Sequence, residues 1–475
     1  MPDRTGLFID GEFVQTSEYE EIKNPYGDTV VGEVAVAAWK EADTAVRAAM
    51  KAFEANRTLS RADRRRILVN IAEGLRERRG RLAELVVRET GKPLRFARGE
   101  IDRAIMTVSL AAEETIRFGG EVVPIDIVPA TAGYVSRVER FPVGPIIALS
   151  PFNFPINLTA HKVAPAIAVG SAVVLKPPPE APLSVLELAD IVNEAGATPG
   201  TFNVVHCPIP IAEKLVRDER FKMLSFTGSA HVGWYLKSIC GKKKVALELG
   251  GNAAAVIHED ADLHWAAERL ALGAFVQAGQ VCISVQRLFI HRPIYKKFKK
   301  LFLEATEAVR LGNPMDEKTV VGPCINRAAA ERIMEWIQEA KKHGATVLCG
   351  DKRRGSVVRP TVLEDVPRKC RVKSEEVFGP VVTLDSYTRF SQACAEVNRS
   401  RYGLQAGVFT HDCRLIEEAF RTLEVGGVII NDFPTFRTDN FPYGGIKDSG
   451  FGREGVRYSM EEMTEPKILV NNLNR

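Results

Sequence analysis

Between residues 143 and 250, short apolar runs recur at a spacing that few folds accept. PIIALS, AVVLK, FNVV, KMLSF and VALEL read as buried strands, and each of the first four is followed by a segment of helical periodicity. Parallel neighbours in a sheet need long crossovers, and the crossover helices then cover both faces and leave the strands apolar throughout. The pattern predicts a nucleotide-binding type α/β domain over 143–250, with its ligand at the carboxyl ends of the strands.

A second alternation runs from 252 to about 445. AAAVIH, a helix over 262–277, RLFIHR, helices over 293–310 and 327–343, then TVLCG, VVTLDSY, GVFTH and VIINDF describe a second α/β domain. Upstream, over 40–118, apolar positions repeat at helical spacing among Arg and Glu, and Gly91 with Pro93 supplies a stop. Residues 120–141 alternate β-branched and polar side chains, which predicts a hairpin arm leaving the domain. The strand-like tail TEPKILVNNLN would pair with that arm or with a partner subunit.

Several function classes are disfavoured. With 64 basic and 60 acidic residues the net charge is only +4, so nucleic acid is not expected as a partner, and Lys242-Lys243-Lys244 reads as a solvated turn. MPDRTGLFIDGEF lacks the apolar core of a secretory signal, and no run of 18 apolar residues predicts a membrane span. The eight cysteines are scattered without C-x-x-C spacing, which argues against a metal site or a disulfide framework and for a reducing cytoplasm.

Five stretches carry possible chemistry. FTGSAHVG, with Gly228 and Ser229, opens a helix after a strand, either as a phosphate-binding turn or as a plain connection. Lys176 ends a strand before a proline run, placed for a ribose or phosphate or simply solvated. Asn153 in SPFNFPINL is an oxyanion donor or a helix cap. Glu248 is the one acid of an apolar strand, a general base if desolvated and otherwise a salt-bridged strand end. Cys282, in AGQVCISVQR, lies in a glycine-led turn before a stretch that reads as helix, whose N-terminus would favour a thiolate. On its own it reads more readily as a buried, inert thiol than as a nucleophile.

In their order along the chain these stretches resemble the aldehyde dehydrogenase superfamily. The matching segments are PFNFP (151–155), LKP (175–177), FTGS with Gly233, LELGG (247–251), GQVC (279–282), EEVFGPV (375–381) and PYGGIKDSGFGREG (442–455), with Glu248 and Cys282 34 positions apart. The resemblance implies a Rossmann-type cofactor domain (1–120 and 142–251), an α/β catalytic domain (252–448) and a small β oligomerisation arm (121–141 and 464–475), assembled as a dimer or tetramer. It implies Cys282 as the nucleophile, the Asn153 amide and the Cys282 N–H as oxyanion donors, and Glu248 as the base that activates water to hydrolyse a thioester. It places Ser150, Phe152, Lys176, Pro179, Gly228, Ser229, Leu249, Glu376 and Phe378 along an NAD or NADP cofactor, and Glu454 behind the reacting groups.

Departures refine these expectations. Many relatives that prefer NAD carry Glu three residues after the lysine, where it repels a 2′-phosphate. Here Pro179 stands there and the acid is shifted to Glu180, so NADP is expected in preference to NAD. Cys207 replaces a common glycine in the adenine loop. Val281, apolar, disfavours a phosphorylated aldehyde, whereas Arg103 and Arg437 suit an anionic tail, with Phe154 and Ser284 bordering the aldehyde. A small hydroxy- or carboxy-aldehyde, such as lactaldehyde or succinate semialdehyde, is the expected substrate. A CoA-acylating enzyme is the first alternative, disfavoured because Glu248 would be superfluous there. A non-catalytic binding protein on the same scaffold is the second.

Overall fold

In the computed structural model, which describes residues 4–474, the first alternation forms the centre of an eight-stranded sheet. Its five central strands are parallel, in the order Lys244–Glu248, Met223–Thr227, Ile146–Leu149, Val173–Lys176 and Phe202–Val204. From Ile146–Leu149 the chain winds outward through Val173–Lys176 and Phe202–Val204, then returns to the opposite flank at Met223–Thr227. This reversal leaves a crevice beyond the carboxyl ends. Ser150, Phe152, Asn153, Lys176, Gly228, Ser229 and Glu248 all stand at or just after those ends.

The sheet edges were not legible in the sequence. A hairpin of Leu7–Ile9 and Glu12–Val14 closes one edge and Gly450–Phe451 the other, all antiparallel. Segments of two or three residues are too short to display a period. The second alternation forms a seven-stranded sheet in the order Thr346–Cys349, Thr361–Glu364, Val381–Tyr387, Val285–His291, Ala253–Ile257, Gln405–Phe409 and Gly427–Ile430, parallel except for the first strand.

The helical layer consists of Trp39–Asn56, Arg61–Glu77, Arg79–Thr90 and Leu94–Arg117, with Gly91 ending the third helix. It fixes the helices behind the crevice through two buried carboxylates. The helices Pro155–Val169 and Pro182–Glu194 both begin with proline, which has no N–H, so the next two amides are the first donors without a partner. Glu100 accepts from the Ile156 and Asn157 amides at 2.9 and 3.2 Å, and Glu89 from Leu183 and Ser184 at 2.7 and 3.0 Å. Burial pushes the Glu89 carboxyl up to about 7. Glu100 is balanced by an ion pair with Lys92, both side chains being fully buried.

The arm requires a correction. No hairpin forms within 120–141, where only an isolated bridge joins Glu121 to Val138. Instead Tyr134–Pro142 pairs antiparallel along its whole length with Thr464–Asn472, one of the two pairings expected of the tail. Pro124 and Pro129 remove the donors that a first hairpin strand would need. The ribbon and its approach expose Val122, Ile127, Val135, Ile468, Leu469 and Val470, and the consecutive residues 468–470 put apolar side chains on both faces of an element too thin to have a core. Residues 1–3 and 475, part of the ranges expected above, lie outside the described residues. No described helix is long and apolar enough to cross a membrane.

Candidate active site

The expectation that Cys282 precedes a helix is not met, because the chain continues into the strand Val285–His291. VQRLFIH is rich in β-branched and apolar residues, and every residue but the last is buried, as the interior of a parallel sheet requires. The turn before the cysteine is left-handed, with Gln277, Ala278 and Gly279 at φ of 52, 55 and 70°. For the two residues with a side chain this costs about 1–2 kcal/mol each, so the surroundings must enforce it. Gln277 Nε2 donates to the Asn153 carbonyl at 2.7 Å, Gln280 Nε2 donates to the Gln277 and Pro323 carbonyls, and the Gln277 amide reaches Val320 O. Without a helix dipole, burial dominates and pushes the Cys282 thiol up to about 11, offset in part by the Tyr443 hydroxyl and by Arg437.

Asn153 does not cap the helix that follows it, since Glu100 has taken that role. Its Nδ2 donates to the Gln280 carbonyl at 3.0 Å and its Oδ1 is buried without a partner, so the side chain is fixed against the nucleophile turn. The Cys282 N–H has no acceptor among the described residues. Glu248 forms no salt bridge among the described residues, which removes the structural alternative for it. Its Oε2 is buried without a partner, and burial, then repulsion from Glu454, hold its carboxyl well above the ordinary value.

Behind these groups lies a buried network of charges. Lys162 Nζ donates to Ser225 and Thr227 hydroxyls and to Glu454 Oε1 at 3.2 Å. Arg437 donates to Glu454 Oε2 at 3.2 Å, while Asp439 meets His161 Nε2 at 2.8 Å and receives both Arg103 Nη2, at 2.6 Å, and Arg103 Nε. Lys162 and Arg437 keep the Glu454 carboxyl low, at about 2, against the effect of burial. Three cations, Lys162, Arg437 and Arg103, thus face two anions, Glu454 and Asp439.

The residues expected around a substrate are not equivalent. Phe154 lies between two cations, with Lys92 Nζ at 3.8 Å and the Arg103 guanidinium at 5.8 Å from its ring centroid. The Arg103 side chain is 30% exposed and that of Arg437 only 7%, so Arg103 is the one that reaches open space. The Ser284 hydroxyl donates to the Gly273 and Ala274 carbonyls at the end of a helix.

The crevice suits a dinucleotide by several independent features. Ser229 caps the helix Ala230–Ile239, and a side-chain carbon at Gly228 would lie 2.5 Å from the Phe226 ring. Gly233 leaves no room for a side chain against Leu249, nor does Gly250 against Glu376. Ser150 Oγ is buried without a partner. Lys176 is half-buried, which pulls its ammonium below the usual lysine range, and it has no salt-bridge partner among the described residues. Pro179 is exposed beside it, while Glu180, Glu20 and Cys207 lie near enough to favour its charge. Glu376 accepts from the Gly251 amide at 2.9 Å and is pushed up to about 7 by burial. Phe378 packs edge-to-face on Phe152 at 5.8 Å.

The sequence pattern of the aldehyde dehydrogenase family matches residues 13–469. The chain belongs to the aldehyde dehydrogenase family. It is 42% identical over 469 residues to the 3-sulfolactaldehyde dehydrogenase of Priestia megaterium, covering 98% of each chain. It is 38% identical over 469 residues to the lactaldehyde dehydrogenase of Methanocaldococcus jannaschii, covering 98% of this chain and 99% of that one. Among solved structures, aldehyde dehydrogenase 21 of Physcomitrella patens in complex with the product succinate superposes with a TM-score of 0.98 at 42% identity over 99% of each chain. The NADP complex of glyceraldehyde-3-phosphate dehydrogenase GapN from Methanocaldococcus jannaschii has a TM-score of 0.92 at 38% identity, covering 96% of this chain and all of that one. This aldehyde dehydrogenase is therefore an NAD(P)-dependent oxidoreductase acting on an aldehyde.

Several site residues escaped the sequence reading. His161 and Lys162 lie in a helix buried along its entire length, and a polar pair inside so apolar a run is itself a signal. Asp439 and Tyr443 stand in or beside a motif already singled out, but only the folded loop brings Tyr443 to the thiol and Asp439 to His161 and Arg103. Because Glu454 raises the Glu248 carboxyl and also neutralises cations that would lower it, Glu454→Gln is expected to move the acidic limb of the kcat profile to lower pH. Profiles of both proteins at saturating substrate check this, and a limb shifted upward or unmoved would contradict the electrostatic assignment.

Proposed function

We propose that this aldehyde dehydrogenase oxidises a small aldehyde bearing an anionic or hydroxyl tail to the carboxylate, with NADP preferred over NAD and water as the acyl acceptor. The observation that carries the reading is the meeting in one buried site of Cys282, the fixed Asn153 amide, and a Glu248 carboxylate free of any ion pair. Cys282 as thiolate attacks the carbonyl carbon, and the displaced electron pair comes to rest on an oxygen facing the Asn153 amide and the Cys282 N–H. The cofactor, when bound, supplies the acceptor for the substrate hydride. The Cys282 thioester that results is attacked by water, whose proton Glu248 takes, and the carbon–sulfur bond breaks with the electron pair returning to Sγ. A carboxyl held above its ordinary value is suited to this work near neutral pH.

Lys176, Ser229, Glu376, Phe152 and Phe378 would hold the cofactor. For Lys176, a 2′-phosphate would restore the charge that burial disfavours, and no Glu stands at 179 to repel it. The cation excess around Asp439 favours an anionic substrate, and the half-exposed Arg103 is the group to meet it, with Arg437 held inside by Glu454. Relatives named for sulfonated and unphosphorylated hydroxy-aldehydes, and a neighbour that binds succinate, agree with that chemistry. The exposed apolar side chains of the 134–142 and 464–472 ribbon support pairing of arms between subunits in a dimer or tetramer. Eight free cysteines are in keeping with a cytoplasmic enzyme.

Three measurements test the reading. Cys282→Ser should abolish NADP reduction while leaving NADP binding intact, and retained turnover would place the nucleophile elsewhere. Parallel kinetics should give NADP an advantage of roughly tenfold or more in kcat/KM, as one charge-assisted contact implies; a tenfold preference for NAD, or an obligatory requirement for coenzyme A, would refute it. Arg103→Met should raise KM for succinate semialdehyde or 3-sulfolactaldehyde by about tenfold or more while leaving that for propionaldehyde nearly unchanged. Equal effects on all three would show that Arg103 serves only the scaffold.

A further inference from the structure

The Tyr443 hydroxyl lies 3.0 Å from Cys282 Sγ, within hydrogen-bond distance of the nucleophile itself. The tyrosine is almost wholly buried, packed with Val281, Ile283 and Leu404, so this contact is not one that water replaces. On the face of its ring sits the Arg437 guanidinium, 3.7 Å from the centroid, itself tied to Glu454. Burial and the adjoining Cys282 hold the phenol well above its ordinary value, so it keeps its proton and acts as a donor, never as the base. The nucleophile turn leads into a strand, and no helix N-terminus is present to stabilise a thiolate there. Something else must do so in a site that disfavours charge.

We propose that Tyr443 is a catalytic residue whose O–H donates to the Cys282 thiolate, and that Arg437, lying on the ring face, strengthens that donor. The inference rests on the assignment of Cys282 as nucleophile. When Cys282 ionises, its proton leaves the Sγ for solvent water and Tyr443 retains its own. When the thioester collapses, the carbon–sulfur bond breaks, its electron pair goes to Sγ, and the same O–H meets the departing thiolate. One hydrogen bond therefore assists both the first attack and the final release. A cation on a ring face draws density from the π system, and the buried surroundings raise the worth of each such contact.

Tyr443→Phe keeps the ring beneath Arg437 and removes only the O–H. The test is the pH dependence of Cys282 alkylation by iodoacetamide, read by mass spectrometry of the Cys282 peptide, because Cys413 is exposed and reacts too. The midpoint should rise by about one to two pH units, and the rate at neutral pH should fall roughly tenfold to a hundredfold, as for loss of a hydrogen bond to a charged group. Hydrolysis of a preformed acyl-enzyme should slow in step, with NADP affinity unchanged. Superposable alkylation profiles would overturn the proposal even where the wild-type enzyme oxidises aldehydes normally. Conversely, a shifted profile in a protein that oxidises no aldehyde would sink the dehydrogenase reading and leave the Tyr443 contact standing. If the Phe variant does not fold, wild-type chain carrying 3-fluorotyrosine at its nine tyrosines offers a more acidic donor. Its midpoint should move down, and an unmoved or raised one would overturn the proposal.

Discussion

Lys162, Arg437, Glu454 and Asp439 form a buried charge network that decides where the parts of this molecule can sit. Breaking such a network by removing one partner leaves an uncompensated buried charge, at a cost of about 3–5 kcal/mol, whereas each charge alone would not tolerate burial at all. The pairs join the helix Pro155–Val169 to a loop and strand edge nearly three hundred residues later in the chain. The floor of the active site is therefore assembled from segments nearly three hundred residues apart, held by geometry that admits little slack.

The same economy governs the nucleophile turn. Two residues with side chains are held in left-handed conformations by the glutamines on either side of Ala278, and one of those glutamines reaches the Asn153 backbone. Asn153 in turn stands before a helix whose first amides are satisfied by Glu100, from the N-terminal layer. Strain at Gln277 and Ala278, the aim of the Asn153 amide and the buried Lys92 to Glu100 pair are thus consequences of a single arrangement. A helix before the thiol would have required none of this, and would have given the sulfur a different electrostatic environment.

Much of this was legible in the sequence, and what was not had physical reasons. The central strands and their helices announce themselves because both faces of a parallel sheet are apolar, and their short apolar runs alternate regularly with helical segments. The edge strands at 7–9 and 450–451 do not, being two or three residues long and outside that alternation with helices. Cys282, Glu248 and Asn153 were recognisable as a set through motif order, but the surroundings that set their chemistry were not. Ser284, expected beside the aldehyde, spends its hydroxyl on helix carbonyls, and Arg437, expected at a substrate tail, is turned onto Tyr443 and Glu454. Such partnerships depend on how the loops fold, even between residues 6 to 17 positions apart, and no local pattern encodes them.

The antiparallel ribbon of residues 134–142 with 464–472 has a consequence for how the protein is made. A ribosome releases the chain from its N-terminal side, and domains tend to fold as they emerge. The first sheet can form its parallel core once residue 248 is out, but its edge at 450–451, the counter-charge of Lys162 at Glu454 and the second strand of the arm all follow about two hundred residues later in the chain. Until then the nascent chain carries a lysine without its acid and the strand Tyr134–Pro142 without its mate. Acquisition of the reactive pocket, of the closed sheet edge and of the arm is therefore a single late event, so that truncated or stalled chains present neither a competent thiol nor a finished ribbon.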